Sequence, residues 1–301
     1  MRSICVMKYH SVNNPMFRPP AEADSLILQV DQGCPHNCCT FCGMYSGVRY
    51  YSLSLEEVGG IIASEGRRYS GVQRIFLADG DVMRRSFEEL RAILEMLNER
   101  FPRLARVGVY ANGSSIGEKS DEELRDLRGL KLHTLYMGLE SGDEGVLKRC
   151  GKGERVEQMV SAGVKAQECG LRMSVMVLLG LGGVERTSEH ALHTAEAVNK
   201  MQPRLLSALR VVPIEGTRLY EDVEEGRFCQ LTERQVVEEL RSIVSGLELK
   251  STVFRANHSS NVVPLEGRLP KDRERLLAEM DGLLRSGRLD EGSPGVVSQW
   301  L

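Results

Sequence analysis

The sequence predicts an α/β fold, a parallel sheet covered by helices and curved into an open or closed barrel. Three observations carry that expectation. Six strand-length apolar runs alternate with five helix-spaced segments between residues 25 and 212. The runs are continuously apolar, as in strands buried on both faces. Polar and glycine residues follow them at Gly33, Gly80, Gly113, Gly142, Gly180 and Gly216, at the strand ends where α/β proteins keep their chemistry.

The elements follow in order. Residues 25–30 form an apolar run ending at Asp31-Gln32-Gly33, and 53–69 have helical spacing. Next come a strand over 74–78, a helix over 86–100 and a strand over 106–110. The short helix over 119–128 opens with Ser120 and Glu123 in a capping box and stops at Gly129. A strand over 134–139 precedes a helix over 154–169 that Gly170 ends. Strand 171–179, helix 187–200 and strand 205–212 complete the alternation. After residue 215 the pattern changes to a helix near 232–247, a strand near 251–255, a polar loop and a helix near 271–285. That part is expected to pack on the barrel and not to form an independent domain.

Composition excludes several classes. Over 301 residues, 42% hydrophobic and 27% charged is a globular profile. A net charge of −3 leaves no basic surplus to serve as a nucleic-acid footprint. No apolar run approaches the roughly 20 residues that cross a bilayer; the longest, 173–184, is broken by glycines. The segment MRSICVMKYH lacks the apolar core of a secretory signal. A cytoplasmic protein is expected.

The cysteines are the unusual feature. Of eight, Cys34, Cys38, Cys39 and Cys42 fall together. In a reducing compartment such crowding points to metal ligation over disulfides. Thiolates select zinc, copper(I) or iron–sulfur clusters. A zinc site normally takes two separated knuckles, and no second CxxC follows. Side chains of the neighbours Cys38 and Cys39 tend to diverge, which leaves three ligands. Three thiolates on a 4Fe–4S cluster leave one iron open. Cys5, Cys150, Cys169 and Cys229 lack partner spacing and are expected in the core.

The segment Gly33-Cys34-Pro35-His36-Asn37-Cys38-Cys39-Thr40-Phe41-Cys42-Gly43-Met44-Tyr45 resembles the radical SAM superfamily, in which the open iron chelates S-adenosylmethionine (SAM). The commonest spacing there is CxxxCxxC. Here Cys34-Cys38-Cys42 would read Cx3Cx3C, and Cys34-Cys39-Cys42 reads Cx4Cx2C. The second keeps an aromatic, Phe41, before the last cysteine and is preferred. The wording CPHNxCTFCxMY is similar to a branch related to Elongator-catalytic-subunit-like and coproporphyrinogen-dehydrogenase-like proteins.

Further segments resemble motifs of the superfamily in the same order. Ala78-Asp79-Gly80-Asp81 looks like the GGE motif, whose carboxylate binds the SAM ammonium; Asp81 is preferred and Asp79 is the alternative. Asn112 could reach cofactor or substrate. Gly138-Leu139-Glu140-Ser141-Gly142, followed by Gly151-Lys152-Gly153, resembles the GLESG…GKG segment, in which the Glu holds the SAM ribose or amino group. Gly180 matches the glycine-rich adenine-side turn, and Val212 the last barrel strand, whose backbone contacts adenine. Arg210 either lines the pocket and binds a carboxylate or points outward and snorkels.

The resemblance implies a partial (β/α)6 TIM-like barrel over 25–215, between an N-terminal segment over 1–24 and a small C-terminal α/β extension over 216–291, with a tail over 292–301. It also implies one 4Fe–4S cluster, SAM, oxygen sensitivity and a reducing partner such as flavodoxin or ferredoxin. A 5′-deoxyadenosyl radical would abstract hydrogen from a substrate, expected to be a small molecule. The extension, with Asn257 and His258, is expected to cover the barrel mouth and act at the reacting carbon. The alternatives are an RNA- or peptide-modifying enzyme of the same class, or a non-catalytic iron–sulfur or zinc protein.

This ligand choice has a direct test. Cys39→Ala abolishes the cluster and Cys38→Ala leaves it, as read by iron and sulfide content after anaerobic reconstitution. The reverse result establishes the Cx3Cx3C register.

Overall fold

The computed structural model describes residues 16–295; Cys5 and the end of the tail lie outside them. The expected strands form as β1 (Leu26–Gln29), β4 (Arg74–Ala78), β5 (Arg106–Tyr110), β6 (Leu132–Glu140), β7 (Arg172–Leu179) and β8 (Leu205–Arg210). They pair in parallel in chain order. A short ribbon, β2 (Asp31–Gln32) with β3 (Tyr51–Ser52), stands between β1 and β4. The helices are α1 (Leu55–Arg68), α2 (Phe87–Arg100), α3 (Gly113–Gly117), α4 (Asp121–Gly129), α5 (Glu144–Arg149), α6 (Val156–Glu168) and α7 (Gly183–Met201). Capping boxes open α1 at Ser54, α2 at Ser86 and α4 at Ser120, each closing two orphan donors.

Residues beyond the sixth strand give α8 (Arg218–Glu224), α9 (Glu233–Gly246), β9 (Thr252–Ala256), β10 (Leu265–Leu269) and α10 (Arg273–Arg285). The strands of this extension continue the sheet. β9 adds to β8 as a further parallel strand, and β10 returns antiparallel to β9. β1 and β10 end the sheet without meeting, so the barrel is partial. Among the described residues no helix is long and apolar enough to cross a membrane.

Strand parity divides the interior in two. Leu77, Val107, Val109, Leu135, Met137, Val175, Val177, Leu206 and Phe254 face the helices in the main core. Phe76 and Tyr136, with Ile27, Tyr110 and Met176, face the barrel interior. Phe76 meets the Tyr110 and Tyr136 rings edge-on at 5.0 and 5.8 Å, a favourable geometry for aromatic pairs. At the floor, a 3-10 turn over Pro20–Glu22 inserts Glu22, whose carboxylate accepts from Tyr136 Oη (2.6 Å) and from Ser25 Oγ. The Arg18-Pro19-Pro20 segment therefore belongs to the barrel floor.

Arg85 closes the neck of the loop over residues 33–50. Its Nη2 donates to the carbonyls of Val30 (2.6 Å) and Leu53 (2.7 Å) and to Asp31 Oδ1 (2.8 Å). Both Arg85 and Asp31 are buried. Removing one partner of a buried pair leaves an uncompensated charge. Arg85→Ala is expected to cost about 3–5 kcal/mol in urea unfolding and to lower iron incorporation.

Candidate active site

The cysteine loop leaves the β2–β3 neck at the C-terminal end of β1 and is held from three sides. Gly80, in the turn after β4, donates its N–H to the Gly33 carbonyl (3.1 Å). A Cβ on Gly80 would lie 2.7 Å from Cys34 Cα and 2.8 Å from Gly33 O, so glycine permits the turn to press on the loop. Thr40 N donates to Cys150 O (2.8 Å), and Leu219 N to Thr40 O (2.9 Å). The Gly151-Lys152-Gly153 segment makes the third side. A Cβ on Gly151 would lie 2.7 Å from Cys38 O, and one on Gly153 would enter the His36 ring. Both glycines have positive φ (68° and 71°).

This docking sorts the thiols. Cys38 is exposed, whereas Cys34, Cys39 and Cys42 are half-buried. Cys39 interacts electrostatically with Cys42, and Cys42 with Cys34. Burial pushes the Cys39 thiol up to about 12, against the pull of Lys152, and raises Cys42 as well. Among the described residues, no three His, Cys, Asp or Glu side chains are gathered for a single metal ion. Phe41 packs with Val146, Cys150, Leu181, Val211, Leu219 and Phe228 and anchors the loop.

The carboxylates flanking Gly80 have different surroundings. Asp81 Oδ1 accepts from Ser115 Oγ (2.8 Å) and Asn112 N (3.2 Å), and Oδ2 from Asn112 Nδ2 (3.2 Å). Asp81 and Asn112 thus fasten α3 to the β4 turn, and neither Asp81 oxygen lacks a partner. Asp79 Oδ2 accepts from Gln29 Nε2 (2.9 Å) and Gly33 N (3.1 Å), but its buried Oδ1 has none. Burial raises Asp79 to about 6. The hydroxyl of buried Tyr45, electrostatically coupled to Asp79, Cys34 and Cys42, also lacks a partner. Hydrogen-bond geometry thus leaves an open acceptor on Asp79 and none on Asp81.

Glu140 ends β6 at a register shift and takes a positive φ of 61°, a conformation costly for a residue with a Cβ. Lys152 Nζ donates to Glu140 Oε1 (3.1 Å) within a nearly buried pair. Lys152 also acts on Cys39, joining the acid to the thiols. Sequence reasoning gave Lys152 and Tyr45 no role, although both lie inside the quoted motifs.

Several other candidates have structural partners. Ser141 is fully buried, its Oγ paired with His190 Nδ1 (2.7 Å) and accepting from Asp143 N (2.9 Å), so its hydroxyl is not presented to a cofactor. Arg210 shares the helix-side parity of Leu206 and Ala208, is buried, and donates to the Pro294 carbonyl. It neither lines the barrel interior nor snorkels. Val212 lies just past β8 and is half-buried. Cys150 and Cys169 are buried as expected, but Cys229 is exposed. Asn257 and His258 line a cavity of about 50 Å3 on the inner face of the sheet, with Pro19, Tyr136, Ser174 and Arg255. None of the cysteines lines it.

Gly180 donates its N–H to Glu239 Oε1 (2.7 Å) from α9, and Thr187 Oγ1 donates to Oε2 (2.5 Å). Burial raises Glu239 from 4.5 to about 7. The folded state therefore keeps a proton that the unfolded chain releases. The associated stability is full below 4.5 and is lost as pH rises to about 7. Glu239→Gln keeps this position neutral, so its melting temperature relative to wild type is expected to rise between about pH 5 and about pH 8. A scan of melting temperature against pH for both proteins checks this.

The residues fit the cofactors implied by the motifs: soft thiols on one loop, and a buried carboxylate oxygen without a partner beside them. Residues 28–195 match the Radical SAM superfamily. The heme chaperone HemW of Bacillus subtilis is 22% identical over 222 residues, covering 71% of this chain and 58% of its own. The tRNA uridine(34) acetyltransferase of Methanocaldococcus infernus is 25% identical over 120 residues, covering 40% of this chain and 22% of its own. The chain spans less than two thirds of the length of these relatives. Methylornithine synthase has a similar fold, with a TM-score of 0.52 at 16% identity over 86% of this chain and 81% of its own. Coproporphyrinogen III oxidase of Escherichia coli gives a TM-score of 0.55 at 15% identity over 73% and 51%. By the match over 28–195, more than half of its residues, the chain belongs to the radical SAM superfamily, whose cofactors are a 4Fe–4S cluster and SAM.

Proposed function

We propose that the chain is a radical SAM enzyme acting on a small molecule, with Cys34, Cys39 and Cys42 holding the cluster and Asp79 and Glu140 binding SAM. The observation that carries this reading is the half-burial of three electrostatically linked thiols on one docked loop, with Cys38 left exposed, together with a buried carboxylate oxygen that has no partner. When bound, the reduced cluster and SAM together supply a 5′-deoxyadenosyl radical that takes a hydrogen atom from the substrate.

The residues of the chain bind, orient and exclude water. Asp79 Oδ1 accepts a hydrogen bond from the SAM ammonium, and Asp81 holds the turn that aims it. Glu140 accepts from hydroxyl or ammonium donors, while Lys152 limits the repulsion between that carboxylate and the Cys39 thiolate. Phe76, Tyr110 and Tyr136 keep the interior apolar beneath them, which protects a reactive species from solvent. A reducing protein such as flavodoxin or ferredoxin supplies the electron. A cytoplasmic setting suits the reduced thiols.

Incubation of anaerobically reconstituted protein with dithionite and SAM is expected to yield 5′-deoxyadenosine. Asp79→Asn and Glu140→Gln each weaken SAM binding roughly 10- to 100-fold, the scale of one hydrogen bond to a charged group. Absence of both iron–sulfur absorbance and 5′-deoxyadenosine removes the enzyme reading in favour of a zinc or scaffold protein.

A further inference from the structure

We propose that the inner-face cavity at Arg255 is an anion subsite that anchors a carboxylate of the substrate. This deepens the small-molecule reading above and rests on it. Arg255 lies half-buried on β9 and lines the cavity with Ser174 of β7, Ser207 of β8 and His258. Among the described residues, its guanidinium and the Ser174 and Ser207 hydroxyls have no hydrogen-bond or ion-pair partner. A half-buried cation inside a barrel normally finds a counter-charge, and among the described residues Arg255 forms no ion pair. Glu266, its cross-strand neighbour, accepts from Asn257 Nδ2 (3.1 Å) instead. Glu22, on the floor, is held by Tyr136 and Ser25.

Size and charge select the ligand. The cavity of about 50 Å3 has room for roughly three to five water-sized groups, at roughly 10–15 Å3 each. That accommodates a carboxylate with a short stem. Met176, Leu205, Leu209 and the floor prolines give the stem apolar walls. Burial lowers the His258 pKa and favours its neutral form, and Nδ1 is paired with Ser260 Oγ (2.9 Å). Arg255 is therefore the only fixed positive charge among the lining residues, which suits a monoanion over a phosphate dianion. Its planar fork pairs with two carboxylate oxygens.

Register places the subsite at a useful distance. Gly138, Met176, Ser207 and Arg255 form one row across β6 to β9. Three strand steps of roughly 4.7–4.9 Å give about 14 Å from Arg255 to Gly138. Glu140 follows Gly138 on the same strand. A molecule held at Arg255 by one end extends its other end toward Glu140.

The test uses reconstituted holoprotein and butyrate as the probe, with inorganic phosphate and butylamine as controls, followed by saturation-transfer NMR titration. Butyrate is expected to bind saturably, at least tenfold more weakly to Arg255→Gln, and with intermediate strength to Arg255→Lys. Urea unfolding of each variant verifies its fold, and Ser207→Ala, also weaker, gives an independent second variant. Equal butyrate affinity in wild type and Arg255→Gln overturns the proposal, as does Arg255-dependent binding of phosphate in preference to butyrate. The outcomes separate from those of the enzyme reading. Arg255-dependent butyrate binding without 5′-deoxyadenosine keeps the subsite and removes the enzyme. Formation of 5′-deoxyadenosine without such binding does the reverse.

Discussion

The position of the cysteine loop depends on one buried guanidinium. Arg85 joins both sides of the neck, from Val30 and Asp31 on the way out to Leu53 on the return. A buried arginine without these acceptors would be very costly, so the neck is energetically coupled to the charge. Between its ends lie residues 33–50, largely without regular structure. Such a segment is ordered only by what it touches, and it touches the turns after β4, β6 and β8. Three strand ends thereby set the places of the three thiols, while Cys38 uses its backbone carbonyl against Gly151 and leaves its sulfur in solvent.

The Asp79-Gly80-Asp81 triplet shows how one turn divides two tasks between like residues. Asp81 has three donors on two oxygens and ties α3 to the barrel. Asp79 has both of its donors on one oxygen, and the other is buried and unpaired. An unsatisfied buried acceptor costs about 1–3 kcal/mol, a cost that a bound cationic donor relieves. Gly80 makes both roles possible because no side chain separates the turn from Cys34. A carboxylate satisfied on both oxygens and one with an open oxygen therefore sit two residues apart.

The six parallel strands were legible because strands buried on both faces leave continuous apolar runs, and the helix starts because capping boxes are local. The two-residue strands β2 and β3 and the short helices α3, α5 and α8 carry too few residues for a periodic signal. β9 was visible as a strand, but its pairing with β8 depends on contacts distant in sequence. The arginines show the same limit. Arg210 drew attention as a charge in an apolar run, yet parity turns it to the helix side. Arg255 has the inner parity, which follows only once β9 is placed beside β8. Ser141 was legible as a motif residue, while its task, set by His190 some fifty positions away, was not.

The residues along the sheet give the two sides of the interior different polarity. On the β1–β6 side lie the thiols and the carboxylates of Asp79 and Glu140, and the cation beside them, Lys152, is engaged by Glu140. On the β7–β9 side, hydroxyls and an unpaired guanidinium line the wall. In a low-dielectric interior such a separation of charge persists because no solvent neutralises it locally. The acidic side favours ammonium and hydroxyl donors, and the basic side favours anions. An extended molecule with opposite charges at its two ends, or two ligands of opposite charge laid end to end, is stabilised along that axis, whereas the reversed orientation meets repulsion at both ends.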